Sequence, residues 1–305
     1  LGDDILDQDG FLLLVGATSL GKSFLAIQLA MCIATGNTFL EKFEVTRPYR
    51  VGLLQGEIGT RRFQDRVRKL WANFDESFGD NFMVDSPWDM KVDIYQDLLE
   101  LEARVEQFKY DVLILDPLRS FFTGDENSSQ QIQKLYDGIQ RLRNKHHIAF
   151  ILTHHDRKPQ LNKDGKFKDQ GLSETRGSAV ITDRPDTIIR FTKTGDKNIM
   201  DLTFEKMRNR WEKLEKMSLE IDHETGLFMP QGFGIKSGVP LSVVREIVAV
   251  RLDGCPYADA EIALRNRFTI SVSTARRRIQ DAVKEGFIIE EVDSMDGRAK
   301  RLRVR

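Results

Sequence analysis

The chain has 305 residues, 40% of them hydrophobic and 30% charged, with a net charge of −1. That is ordinary globular material for about two domains with full cores. No apolar run approaches the roughly 18 residues of a membrane span, and no signal peptide is visible. Two cysteines without metal-ligand spacing, Cys32 and Cys255, predict reduced thiols in a cytoplasmic protein. Opening on Leu1 fits an excised or processed product and leaves room for a further N-terminal domain.

The first element in the chain is also its strongest signal. Phe11 to Val15 is a short apolar run ending at Gly16. Ala17-Thr18-Ser19-Leu20-Gly21-Lys22-Ser23 follows, then a helical pattern through Leu25, Ala26, Leu29 and Ala30. Strand, glycine-rich loop and helix in that order predict a phosphate-binding loop for a nucleoside triphosphate. Backbone amides and the helix N-terminus would cradle the phosphates. The contact candidates are Gly16, Thr18, Ser19, Leu20, Gly21, Lys22, Ser23 and Phe24. Lys22 would reach the terminal phosphates, and the Ser23 hydroxyl would join a Mg²⁺ shell.

Val51 to Leu54 reads as the next strand, ending in Gln55-Gly56-Glu57-Ile58-Gly59. Helices are predicted over Thr60 to Phe74 and Asp93 to Phe108, a strand over Asp111 to Leu115, a helix over Ser128 to Asn144 and a strand over His147 to Thr153. Strands alternating with helices mean an α/β fold with a mostly parallel sheet covered on both faces. Its site belongs beyond the carboxyl ends of the strands, where Gly16, Glu57, Asp116 and His154 fall. Asp116 fits the outer shell of the metal, and Glu57 fits the base that orients water. Asp156 to Thr175 is a polar, basic loop carrying Lys163, Lys166 and Lys168. Thr187 to Phe191, Met200 to Phe204 and Met217 to Ile221 are predicted as antiparallel hairpin strands.

A glycine-rich linker at 233–239 divides an ATPase domain (1–232) from a second unit (240–305). From Gly238 onward there are 13 Lys and Arg against 10 Asp and Glu, a net +3, which leaves −4 for the remainder. Helices over Leu241 to Leu252, Tyr257 to Arg267 and Ser271 to Glu285, then a hairpin over Phe287 to Val304, predict a winged helix-turn-helix. Val272, Ala275 and Ile279 face inward, which leaves Ser273, Thr274, Arg276 and Arg277 to meet duplex DNA. Protein docking is the alternative use of such a unit.

The phosphate loop, Glu57, Asp116-Pro117 and Thr153-His154-His155 together resemble RecA-like ATPases, most of all the RepA-type plasmid replicative helicases and relatives of DnaB. Arg66, nine residues after Glu57, the stretch Gly124 to Asn127 and Arg176 to Ala179 are also similar to that pattern. The resemblance spans roughly residues 1–230. It implies a RecA-like P-loop NTPase core in which Arg66 contacts nucleotide and His154 couples the γ-phosphate to the loop after it. It also implies a homo-oligomer, a hexameric ring being one form, in which Arg176, or the pair Lys206 and Arg208, completes a neighbour's site. The loop lysines would track single-stranded DNA. No primase or zinc motif is present. The function implied is an ATP-driven replicative-helicase motor. The alternative is a nucleotide-gated DNA-binding regulator or loader that does not unwind.

Overall fold

The computed structural model describes residues 1–305 except 3, 75, 88, 157–174, 224, 232–240, 251–253, 269–271, 293–299 and 305. For 76, 77, 241–243, 268, 273 and 274 it describes the backbone alone. The linker at 233–239 and the loop lysines Lys163, Lys166 and Lys168 therefore lie outside the described residues.

Near-continuous apolar strands must be covered on both faces. Accordingly β1 (Phe11–Gly16), β2 (Val51–Gln55) and β4 (Val112–Asp116) are buried at every position. They run parallel with β3 (Phe82–Asp85), β5 (Ala149–His155) and β6 (Thr187–Lys193). β7 (Ile199–Met207), β8 (Met217–Ile221) and β9 (Phe228–Pro230) continue the sheet antiparallel. The strand order is β3-β2-β4-β5-β1-β6-β7-β8-β9. The parallel half and the hairpins match the expected architecture. β3 is an addition to it: a four-residue edge strand, half-buried and exposed by turns, is too short to carry a readable period.

Alternation along β1 divides the core in two. Leu12 and Leu14 pack with residues of α1 (Lys22–Thr35) and α2 (Thr60–Trp71), whereas Phe11, Leu13 and Val15 pack with α3 (Tyr95–Phe108) and α4 (Ser129–His146). β5 runs two residues past the expected strand end at Thr153, because Val15 and Gly16 of β1 extend far enough to pair with His154 and His155. Both histidines thus belong to the strand. After the segment 157–174 comes a single helical turn, α5 (Val180–Asp183).

The C-terminal unit consists of α6 (Leu241–Ala249), α7 (Tyr257–Phe268) and α8 (Val272–Lys284) with a small sheet. That sheet has β12 (Lys300–Val304) between β10 (Cys255–Pro256) and β11 (Ile288–Val292). Val248, Leu264, Ala275, Ile279 and Leu302 form its own core. The unit touches the end of α2, where Arg265 donates to Asn73 Oδ1 at 2.6 Å and to the Ala72 carbonyl at 3.3 Å. Among the described residues no helix is long and apolar enough to cross a membrane.

Candidate nucleotide-binding site

The phosphate loop is shaped by close approach. A Cβ on Gly16 would stand 2.3 Å from the Phe191 carbonyl oxygen of β6, so only glycine lets β1 and β6 meet there. Gly21, at φ 90, takes the left-handed conformation that opens α1, and a Cβ there would also meet the Phe228 ring at 2.9 Å. With glycine as the cap, no side chain takes the first-turn amides, and no acidic residue occupies that turn. Such a helix N-terminus suits an anion.

Lys22 is buried and lies folded on its own loop: its Nζ donates to the Gly16 and Ala17 carbonyls at 2.7 Å each and to His155 Nδ1 at 3.2 Å. Burial lowers its pKa to about 8, despite the opposing pull of Asp116, Asp156 and Glu57. Asp116, at the tip of β4, is buried, and burial raises its pKa against the hydrogen bonds of Thr153 and Ser23 and the charges of Lys22 and Arg66. Thr153 Oγ1 donates to Asp116 Oδ1, while Oδ2 is buried with no hydrogen-bond partner. An orphaned carboxylate oxygen beside a serine hydroxyl is the donor set that a hydrated Mg²⁺ requires, so these residues fit that ion.

Glu57 rides on a turn that Gln55 clamps from inside. The Gln55 amide donates to the Ile58 carbonyl at 3.0 Å and accepts from the Ile58 N–H at 2.9 Å, while the Gly56 N–H reaches the Asp116 carbonyl at 3.1 Å. The carboxylate is left half exposed, with Oε1 3.9 Å from His155 Nε2. Burial, then the charge of Lys22, lowers the His155 pKa to about 4, so the ring is neutral at pH 7. A neutral ring that accepts from Lys22 at Nδ1 carries its proton on Nε2, the nitrogen facing Glu57.

His154 points to the other side of β5. Its Nε2 donates to the Arg176 carbonyl at 2.8 Å, and burial lowers its pKa. The structure therefore sets His155 against the phosphate loop and His154 against the chain at Arg176. Arg66 stacks over the Phe24 ring at 5.0 Å and acts electrostatically on Asp116, which places it at the site.

Four of the other basic candidates, Arg176, Lys206, Arg208 and Arg276, have partners within the chain. Arg176 is half exposed and ion-paired with the buried Glu126. The stretches Gly124 to Asn127 and Arg176 to Ala179 are adjoining, since the Ser178 N–H donates to the Glu126 carbonyl at 2.7 Å. Lys206 Nζ caps the end of α5, donating to the Thr182 and Asp183 carbonyls at 2.9 and 2.7 Å. Arg208 joins it on the Asp183 carbonyl and lies 3.7 Å from Asp186. In the C-terminal unit Arg276 donates to Glu261 at 2.8 Å, and Arg277 is exposed on α8. The side chains of Ser273 and Thr274 lie outside the described residues.

A family model for the AAA domain, AAA_25, matches residues 1–160, just over half of the chain. The chain belongs to that family. No curated protein gives a significant match. Among solved structures the chain is similar to one ATPase domain with a TM-score of 0.54 at 16% identity, over 73% of this chain and 84% of that one. It is also similar to a DnaB-like replicative helicase, described with its interactions with primase, with a TM-score of 0.53 at 16% identity over 73% of this chain. The match spans 59% of that helicase chain. What this AAA-family chain shares with both is the fold, a RecA-like P-loop core.

Proposed function

We propose that this chain is an ATP hydrolase of the replicative-helicase type, a motor that moves on or remodels DNA. One observation carries the reading. Lys22, Ser23, Asp116 and the clamped Glu57 converge at the carboxyl ends of β1, β2 and β4, and β5, which lies between β4 and β1, leads from that point into the basic segment 157–174. Lys22 would leave the carbonyls of its own loop for the terminal phosphates. Ser23 and Asp116 would hold Mg²⁺, which supplies charge neutralisation between the phosphates. Glu57 would orient the attacking water, with the Nε2–H of His155 beside it to steady its carboxylate. Arg176, freed from Glu126, or Arg208 with Lys206, would complete the site of a second copy of the chain.

We read the C-terminal unit as a winged helix with α8 as its recognition helix. Its three helices followed by a hairpin support that reading, with Arg277 exposed and Arg276 on the same turn. The unit's contact with the end of α2 favours a second reading, a nucleotide-gated DNA binder, because α2 starts directly after the Glu57 turn.

The test is ATP turnover with and without single-stranded DNA. Glu57→Gln should retain nucleotide binding and lose about 10²- to 10⁴-fold in turnover, since an amide cannot act as a base. Native turnover by that variant would overturn the assignment of the base. Turnover indifferent to single-stranded DNA would favour the gated binder.

A further inference from the structure

Arg190 sits in the middle of β6, in the run Thr187-Ile188-Ile189-Arg190-Phe191, and is 1% exposed. Its guanidinium joins three places in the chain. Nη1 donates to the carboxylate of Asp156, Nη2 to Thr175 Oγ1 at 3.1 Å, and Nε to Glu205 Oε1 on β7 at 3.1 Å. Asp156 and Thr175 are the residues that flank segment 157–174, and their backbones form an isolated bridge. Stability alone is a weak account of this arrangement, because a buried ion pair seldom outperforms apolar packing of similar volume. A planar fork that fixes the directions of several bonds at once is what positioning requires.

The same residues close a circuit with the phosphate loop. The Asp156 N–H donates at 3.1 Å to the Gly16 carbonyl, which also accepts from Lys22 at 2.7 Å. Gly16 in turn lies against Phe191, the neighbour of Arg190, too closely for any side chain. A nucleotide that draws Lys22 off the Gly16 carbonyl therefore alters one end of a chain of bonds. Asp156, Arg190 and Thr175 form the other end.

We infer that Arg190 is a positioning residue that makes Asp156 and Thr175, the two roots of segment 157–174, respond together to the state of the phosphate loop. The inference rests on the ATP-binding reading and is independent of any action on DNA.

The test uses the full chain carrying Asp164→Cys, labelled with an environment-sensitive fluorophore; Cys32 and Cys255 are both buried and should stay unlabelled. Binding of ATPγS and of ADP is measured directly, together with the difference in probe signal between the two states. Thr175→Val removes one bond to a charged donor at nearly constant shape. It should cut that difference about tenfold while leaving the nucleotide Kd within about twofold. Thr175→Ser should restore the difference. Arg190→Lys, which keeps the charge and loses the fork, should abolish it. A full response in Thr175→Val, or an unrestored one in Thr175→Ser, overturns the inference. If Thr175→Val does not fold, Thr175→Ser and Arg190→Lys decide it by the same criteria. Binding without any response in the parent chain refutes the inference alone, whereas absence of binding refutes the ATP reading with it.

Discussion

The depressed pKa of Lys22 makes the pH dependence of nucleotide binding a sharp test of the site. In the free protein the ammonium titrates at about 8, against a usual value of 10.5, because burial outweighs the three carboxylates around it. Phosphates brought against it must raise that pKa, since an anion at contact favours the charged form. Binding is then complete in its proton requirement below pH 8 and takes up a proton above it. At pH 9 only about a tenth of the free protein is pre-protonated, so affinity should fall about tenfold, or about 1.4 kcal/mol, and by a similar factor again by pH 10. Stability of the free chain should move the other way. Between pH 8 and 10.5 the unfolded lysine holds a proton that the folded one has released, so Lys22 contributes increasing stability as pH rises through that window. The assay is a titration of a fluorescent ADP analogue from about pH 6.5 to 10, with Lys22→Arg as the control that stays charged throughout. A flat affinity profile, or the same decline in Lys22→Arg, would refute the reasoning.

Three further outcomes are expected of the basic residues. Mixing a Lys22→Ala subunit with an Arg176→Ala subunit should restore part of the ATPase activity, since one supplies the arginine and the other the phosphate loop; an arginine finger is typically worth about 10³ or more in rate. No recovery despite co-assembly, with Arg176→Ala or with Arg208→Ala, would rule out a shared site. Replacing Lys163, Lys166 and Lys168 should weaken single-strand binding for all sequences and reduce its salt slope by up to about three charges. Replacing Arg276 and Arg277 should instead weaken duplex binding by about 1–3 kcal/mol per base contact and spare basal turnover, as read by paired salt titrations.

What the sequence discloses here and what it hides divide along a physical line. Local chemistry with a fixed spacing is legible: a phosphate loop such as the one proposed from Gly16 to Ser23 would work through successive backbone amides, so its signature is written in consecutive residues. Strand-end carboxylates are legible for the same reason, because the end of an apolar run marks the end of the strand, as at Asp116. Which of two adjacent histidines faces the loop depends on where β5 stops, and that is set by pairing with Val15 and Gly16, far earlier in the chain. Strand alternation then gives His155 to Lys22 and His154 to the Arg176 carbonyl. Arg190 carries a different signal: a single charge inside an apolar strand must find buried partners, so the residue itself marks a network. Its partners are unreadable from sequence, since Asp156, Thr175 and Glu205 meet it only once the hairpin of β6 and β7 has folded against the end of β5. A phosphate loop can thus be read from local order, while the bonds that Arg190 makes to Asp156, Thr175 and Glu205 need the sheet to be assembled first.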